Sequence, residues 1–168
     1  MTCLFELSIA LLITLLNGFF VMAEYSLVRI RKSRLDELIR QGKSRANTVL
    51  KMSVKLDTYL SATQLGITAS SLLLGWFGGP LLAEMFRGMF GVSAGTWYDH
   101  SLVFACAFLI IVFLHVVFGE LVPRTIALGK VEQVAMAVAY PLVFFHYLLY
   151  PLVVLFNRIS HAVLCLLG

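Results

Sequence analysis

Apolar residues fall into four long blocks along this chain, and the polar residues that interrupt them recur at helical spacing. The first block runs from Leu4 to Val28, 25 residues, enough to cross a bilayer as a tilted helix. After it, Leu35, Leu38, Ile39, Ala46, Val49 and Leu50 return at helical intervals between Lys and Arg residues. That pattern predicts amphipathic helix at the membrane interface, broken near Gly42. The second block, Asp57 to Leu82, predicts a crossing with a semi-polar inner face. A loop with Gly88, Gly91, Gly95 and Asp99 follows; its near lack of positive charge fits the outer side. The third block starts near Ser101, stays apolar to Phe118, meets Gly119-Glu120 and continues to about Lys130. The fourth, Val134 to Leu167, is interrupted by Pro141 and Pro151. Its halves around Pro151 hold about 16 residues, roughly 24 Å of helix each. Halves this short predict a hairpin or a broken helix packed against the others.

Composition places the chain in the membrane class. Of 168 residues 60% are hydrophobic and only 13% charged, with mean hydropathy +0.92, whereas a soluble domain carries about 25% charge. The formal net charge of +4 comes from one segment, Arg29 to Lys55, which holds nine Lys and Arg against Asp36 and Glu37. Few aromatics interleave with it. It therefore reads as a cytoplasmic membrane surface and not as a nucleic-acid site. Cys3, Cys106 and Cys165 are scattered, without metal-ligand spacing, and read as small apolar packing residues. Leu7 to Leu16 has the length of a signal-peptide core, yet Glu6 precedes it and the basic residues follow it. That order predicts a retained helix with its N-terminus outside.

Polar residues inside the apolar blocks carry the candidate chemistry. Glu120 closes a hydrocarbon-length stretch, where a carboxylate is costly and marks a functional site. Pro123 has no N–H, and its ring crowds the carbonyl four residues back, that of Gly119. One carboxylate and one backbone oxygen are thus offered side by side, both hard donors of the kind Mg²⁺ and Ca²⁺ take. The competing reading of Glu120 is a helical ion pair with Arg124, four residues on. In the second block Ser61, Gln64, Thr68, Ser71 and Gly75 share one helix face, either lining a polar cavity or joining helices by hydrogen bonds. Gly66 and Ser70 lie on the opposite face at the spacing of a close helix–helix contact or a dimer seam. Asn17, near the middle of the first block, needs a partner for its amide. Glu24 reads as an interfacial partner of Arg29 or Lys32. His115 lies five residues before Glu120, about 140° away around an α-helix, so the two form no metal-binding face. His146 and His161 read as packed or interfacial.

These residues resemble a known family. Asn17-Gly18-Phe19-Phe20-Val21-Met22-Ala23-Glu24, followed by Arg29-Ile30-Arg31-Lys32-Ser33-Arg34-Leu35, looks like the opening of the CorC/CNNM (cyclin-M-like) membrane domain. Leu65-Gly66-Ile67-Thr68, Ser71-Leu72 and Gly75-Trp76 are similar to its second helix, and Phe118-Gly119-Glu120-Leu121-Val122-Pro123 resembles its most specific motif. The resemblance spans nearly the whole chain, residues 1–168, in the family's order. It implies a homodimer in the cell (inner or plasma) membrane that transports Mg²⁺, with Na⁺ as coupling ion for efflux. It also implies three spanning helices plus juxtamembrane helices, and a cytosolic CBS-pair domain as partner, absent from this sequence, which is then a piece of a longer protein. The expected fold class is an all-α integral membrane protein: three transmembrane helices, juxtamembrane amphipathic helices and a Pro-broken C-terminal hydrophobic hairpin. An outside N-terminus and a cytosolic C-terminal domain require an odd number of crossings, so the fourth block is expected not to cross.

On this resemblance the metal ligands are Glu120 for charge, the Gly119 carbonyl freed by Pro123, and Asn17, Thr68 and Ser71 as neutral oxygens. Asn17 and Ser71 stand where some relatives carry Ser and Asn, and Ser70 replaces Ser71 if the second helix is rotated. Gly75, Gly78, Gly79 and Pro80 are either points of flexure or a helix end. Two other classes compete. An intramembrane enzyme needs a nucleophile–base pair or clustered histidines, which the sequence pattern does not offer, so no enzyme is expected. A passive membrane anchor for a cytosolic regulatory domain would not need the Asn17, Thr68, Ser71 and Glu120 set.

Overall fold

The computed structural model describes the backbone of residues 2–90 and 97–167, with side chains for residues 7–78, 105–106 and 108–165. Gly91 and Gly95 of the expected outer loop lie outside the described residues. Every regular element among those described is helical. In order they are α1 (Thr2–Arg29), α2 (Lys32–Arg40), α3 (Ser44–Val54), α4 (Leu56–Phe90), α5 (Trp97–Leu114), a π-helical segment (His115–Leu121), α6 (Val122–Gly129) and α7 (Val131–Leu167). Among the described residues three stretches are long and apolar enough to cross a membrane: Leu7–Arg29, Phe108–Gly129 and Val131–Cys165.

Two expectations change. The fourth block is one helix, α7, 37 residues long with Pro141 and Pro151 inside it. A proline removes one hydrogen bond and bends a helix without reversing it, and residues 134–167 contain no glycine to supply a left-handed backbone position. With the helix unbroken, the block expected not to cross has the length to do so. The second block does not end at Gly75 to Pro80, because α4 runs on to Phe90.

The chain forms two compact units. One comprises Met1–Gly18 and Thr68–Pro123, the other Phe19–Ile67 and Arg124–Gly168. In the second unit, α2 ends at Gly42, whose φ of +79° suits a residue without a Cβ. Gly42 N–H donates to Ile39 O and Lys43 N–H to Leu38 O, so two orphan carbonyls of α2 are satisfied as the chain reverses into α3. The reversal lays Leu35 and Leu38 beside Ala46, Val49 and Met52, all buried, and α3 packs on α7. Burying each large side chain contributes about 1.5–3 kcal/mol. At the polar edge Arg34 donates to Glu132 at 2.6 Å and pairs with Glu37. The two carboxylates push its guanidinium further above its ordinary range.

Small and polar residues of α4 do the helix-joining work in this unit. A Cβ at Gly66 would stand 2.6 Å from the Phe20 ring, so Gly66 is the close helix–helix contact, made with α1 of the same chain. Phe20 in turn packs edge-on against Phe19 and Phe145. Ser61 donates to Asn157 Oδ1 of α7 at 3.0 Å, the interhelical bond its spacing suggested. Glu24, expected beside Arg29 or Lys32, accepts from the Thr63 hydroxyl at 3.4 Å. His146 is buried against the Tyr59 ring, as a packed histidine. Arg124 lies over the Tyr25 ring at 4.6 Å.

Candidate cation site

The site lies within the first unit and begins with a backbone defect. Pro123 has no N–H, so the Gly119 carbonyl lacks the donor an α-helix would supply four residues on. The helix does not break there. From His115 to Leu121 it widens into a π-helix, and the Val122 N–H reaches back to Val117 O. Seven π-helical residues are unusual, since π turns occur mostly as single bulges, frequently at functional sites. The neighbouring helices hold close: Gly78 lets the Ile111 side chain lie against α4, where a Cβ would meet it at 2.8 Å.

Gly18 lets the proline ring approach α1. A Cβ there would stand 2.9 Å from Pro123 Cγ, a distance real side chains do not reach. One residue earlier, the buried Asn17 turns its amide to the defect, and Nδ2 donates to Gly119 O at 2.9 Å. Gly119 is itself buried. A Cβ on it would lie 3.0 Å from His115 Nδ1 and 3.2 Å from Asn17 Nδ2, so the absent side chain opens a cradle between them. Asn17 Oδ1 and His115 Nδ1 are both buried with no hydrogen-bond partner among the described residues. Burying such a group unpaired costs about 1–3 kcal/mol. The other ring nitrogen, His115 Nε2, lies 3.1 Å from Ser71 Oγ.

The seven sequence-predicted residues divide accordingly. Asn17 and Gly119 meet directly, Pro123 packs beside them, and Ser71 joins them through His115. Ser70 is buried on α4, while Thr68 and Glu120 lie on exposed faces of their helices. Among the described residues no three His, Cys, Asp or Glu side chains gather as a metal site. Whatever binds here meets neutral oxygens and one imidazole, with a single carboxylate nearby in sequence. His115 is the residue the pattern missed. Its 140° offset from Glu120 holds for α-helical turns, and the π-helical turn, closing i→i+5, is wider. The disturbed turn was readable from Pro123, but its width was not. The Ser71–His115 contact is also a nucleophile–base pair that spacing along the chain could not reveal. His115 Nδ1 has no orienting carboxylate among the described residues, so no triad is formed.

Residues 7–168 match the family described as the cyclin M transmembrane N-terminal domain. The chain belongs to this cyclin M family. UPF0053 protein YugS of Bacillus subtilis is 39% identical to this cyclin M domain over 154 residues, 91% of the chain and 36% of YugS. UPF0053 protein YhdT of the same organism is 42% identical over 151 residues, 89% of the chain and 32% of YhdT. A Mycobacterium tuberculosis protein, Rv1841c, is 38% identical over 160 residues, 95% of the chain and 46% of that protein. The cyclin M domain thus spans a third to a half of the length of these relatives. Together with the three apolar helices, the match makes it a multi-pass membrane domain.

Proposed function

We propose that this cyclin M domain carries Mg²⁺ across the membrane, holding the ion at the Gly119 cradle after it sheds part of its water. The observation that carries this reading is the buried, unpartnered Asn17 Oδ1, on the amide whose Nδ2 donates to Gly119 O in the π-helical segment ahead of Pro123. Leaving an amide oxygen unpaired in a hydrocarbon-length helix is costly, and a cation that accepts its lone pair recovers that cost. Mg²⁺ prefers hard oxygen and keeps several waters. Gly119 O and Asn17 Oδ1 would replace some of them, with Ser70, Ser71 and Thr68 as further hydroxyls along α4. Glu120 supplies the negative charge from its exposed position, where a hydrated ion arrives. A site with one carboxylate binds weakly enough to release, as an ion pathway requires.

In the fuller reading the domain works as a homodimer in the cell membrane, with its N-terminus outside. Mg²⁺ leaves the cell against Na⁺ entry, and a cytosolic CBS-pair domain regulates transport. The basic surface of α2 and α3 supports the cytosolic placement of that side.

Two substitutions test the site. Asn17→Leu keeps the branching of the side chain and removes both amide atoms. Glu120→Gln removes the charge from an exposed position, where folding is insensitive. Calorimetry is expected to show Mg²⁺ affinity falling about tenfold or more in each, since tenfold is the lower end of what hydrogen bonds to charged groups contribute. Proteoliposome Mg²⁺ flux is expected to fall in parallel. Unchanged binding and flux in both variants would remove Asn17 and Glu120 from the mechanism, and absence of Mg²⁺ flux in the unmodified protein would leave the passive-anchor reading.

A further inference from the structure

We propose that the arginine-lined groove where α1 turns into α2 binds the phosphate of an anionic membrane phospholipid. The groove lies within the second unit, shares no residue with the Gly119 cradle and does not depend on the cation reading.

The groove measures about 460 Å³, within the range of small-ligand sites. Arg29, Arg31, Ser33 and Arg34 line it from the end of α1 and the start of α2, and Val131 and Glu132 close it from the start of α7. Arg34 is already engaged, donating to Glu132 and pairing with Glu37. Arg29 and Arg31 form no ion pair with a described residue, so two guanidinium groups border the groove unmatched. Arg31 is also the N-cap of α2, in extended backbone and without a side-chain capping bond. The first turn of α2 is thus uncapped, and its N–H groups add to the attraction for an anion.

Charge and lining decide the class of anion. Three arginines against Glu37 and Glu132 leave the groove one net positive charge, which a single phosphodiester neutralises. Guanidinium groups match its oxygens with paired N–H contacts. A polyphosphate would bring surplus negative charge against the two carboxylates. A nucleotide base would find no aromatic ring in the lining on which to stack. Position decides the source. The apolar span Leu7–Arg29 ends at Arg29, the span Val131–Cys165 begins at Val131, and both residues line the groove. It therefore opens at the level where hydrocarbon gives way to headgroups, and the exposed Val28 offers acyl chains an apolar surface one residue inside that level. Basic pockets between spanning helices at this boundary are where membrane proteins hold anionic headgroups.

The test uses the full chain in uncharged detergent, with phosphatidylglycerol, phosphatidylcholine and inorganic phosphate as probes. Native mass spectrometry is expected to show phosphatidylglycerol bound about tenfold or more tightly than phosphatidylcholine, whose headgroup carries its own cation. Excess inorganic phosphate is expected to displace little of it, since free phosphate has no chains to bury. Arg29→Gln with Arg31→Gln is expected to weaken phosphatidylglycerol about tenfold or more through loss of charge-assisted contacts. Lys51→Gln with Lys55→Gln removes the same charge outside the groove and is expected to change binding less than about threefold. Equal binding of the two lipids would overturn the proposal. So would equal loss in the two charge pairs, which would mean diffuse surface attraction. Full displacement by inorganic phosphate would make the groove a site for free anions and overturn the lipid source. The lipid comparison and the phosphate competition need no variant, so they decide the matter even if the arginine variant fails to fold.

Discussion

Two glycines of this chain are defined by what presses on them. Gly18 faces the Pro123 ring at a distance no Cβ tolerates, and Gly66 faces the Phe20 ring more closely still. A methyl at either position must push its neighbour away. Gly18→Ala and Gly66→Ala are each expected to destabilise the folded domain by about 1–3 kcal/mol, the usual cost of overpacking. Thermal unfolding in detergent measures this. Phe20→Leu in the Gly66→Ala background is expected to restore part of the loss, because the smaller side chain can yield. No such recovery would mean that the ring is not the obstacle. Gly18→Ala carries a second expectation: moving Pro123 shifts the Gly119 carbonyl from Asn17 Nδ2, so Mg²⁺ affinity falls with stability. Gly66→Ala acts in the other unit and is expected to spare affinity.

Among the elements, the π-helical segment links sequence to chemistry most directly. An α-helix through His115–Leu121 would leave one unsatisfied carbonyl and no sideways access; the wider turn presents that carbonyl to Asn17. Pro123→Ala returns an N–H to position 123. The segment is expected to relax toward α-helix, the Gly119 carbonyl to return to a backbone bond, and Mg²⁺ affinity by calorimetry to drop about tenfold, the worth of one charge-assisted contact. Unchanged affinity would detach the proline from the site. Much at this level was legible. Helical periodicity placed α1, α2, α3 and the start of α4, and Gly42 marked the reversal. Gly119-Glu120 with Pro123 marked the defect. Two things were not. Whether an unsatisfied carbonyl widens the helix or ends it depends on what packs against it, here Gly18 and Asn17 from a helix about a hundred residues away in sequence. Whether Pro141 and Pro151 fold a helix back or merely bend it depends on the packing of Val138, Leu142 and Val153, all buried along one continuous α7.

At the scale of the whole molecule, the proposed ion site predicts that occupancy and stability are coupled. A cation that binds the folded chain and not the unfolded one stabilises it by mass action, about 2.7 kcal/mol at a hundredfold excess over Kd. Titrating Mg²⁺ is expected to raise the thermal midpoint progressively, and chelation with EDTA to reverse the rise. Gly119→Ala fills the cradle and is expected to abolish the gain. A midpoint indifferent to Mg²⁺ in the unmodified protein would argue against binding at the cradle. The basic α2–α3 surface and the exposed apolar faces of α1 and α7 fit this chain to a bilayer. They would fit many membrane domains equally well. The whole-molecule pattern therefore says where the protein resides, while the proposed function rests on the few atoms around Gly119.

The carbonyl of Gly119 has an evolutionary consequence. A ligand built from the main chain is encoded by no side chain of its own, so replacing residue 119 cannot delete it. Mutation reaches that oxygen only indirectly, by giving position 123 a hydrogen to donate or by crowding the glycines around it. If the proposed site holds a cation, its side-chain partners can be exchanged, amide for hydroxyl, while that one oxygen stays put.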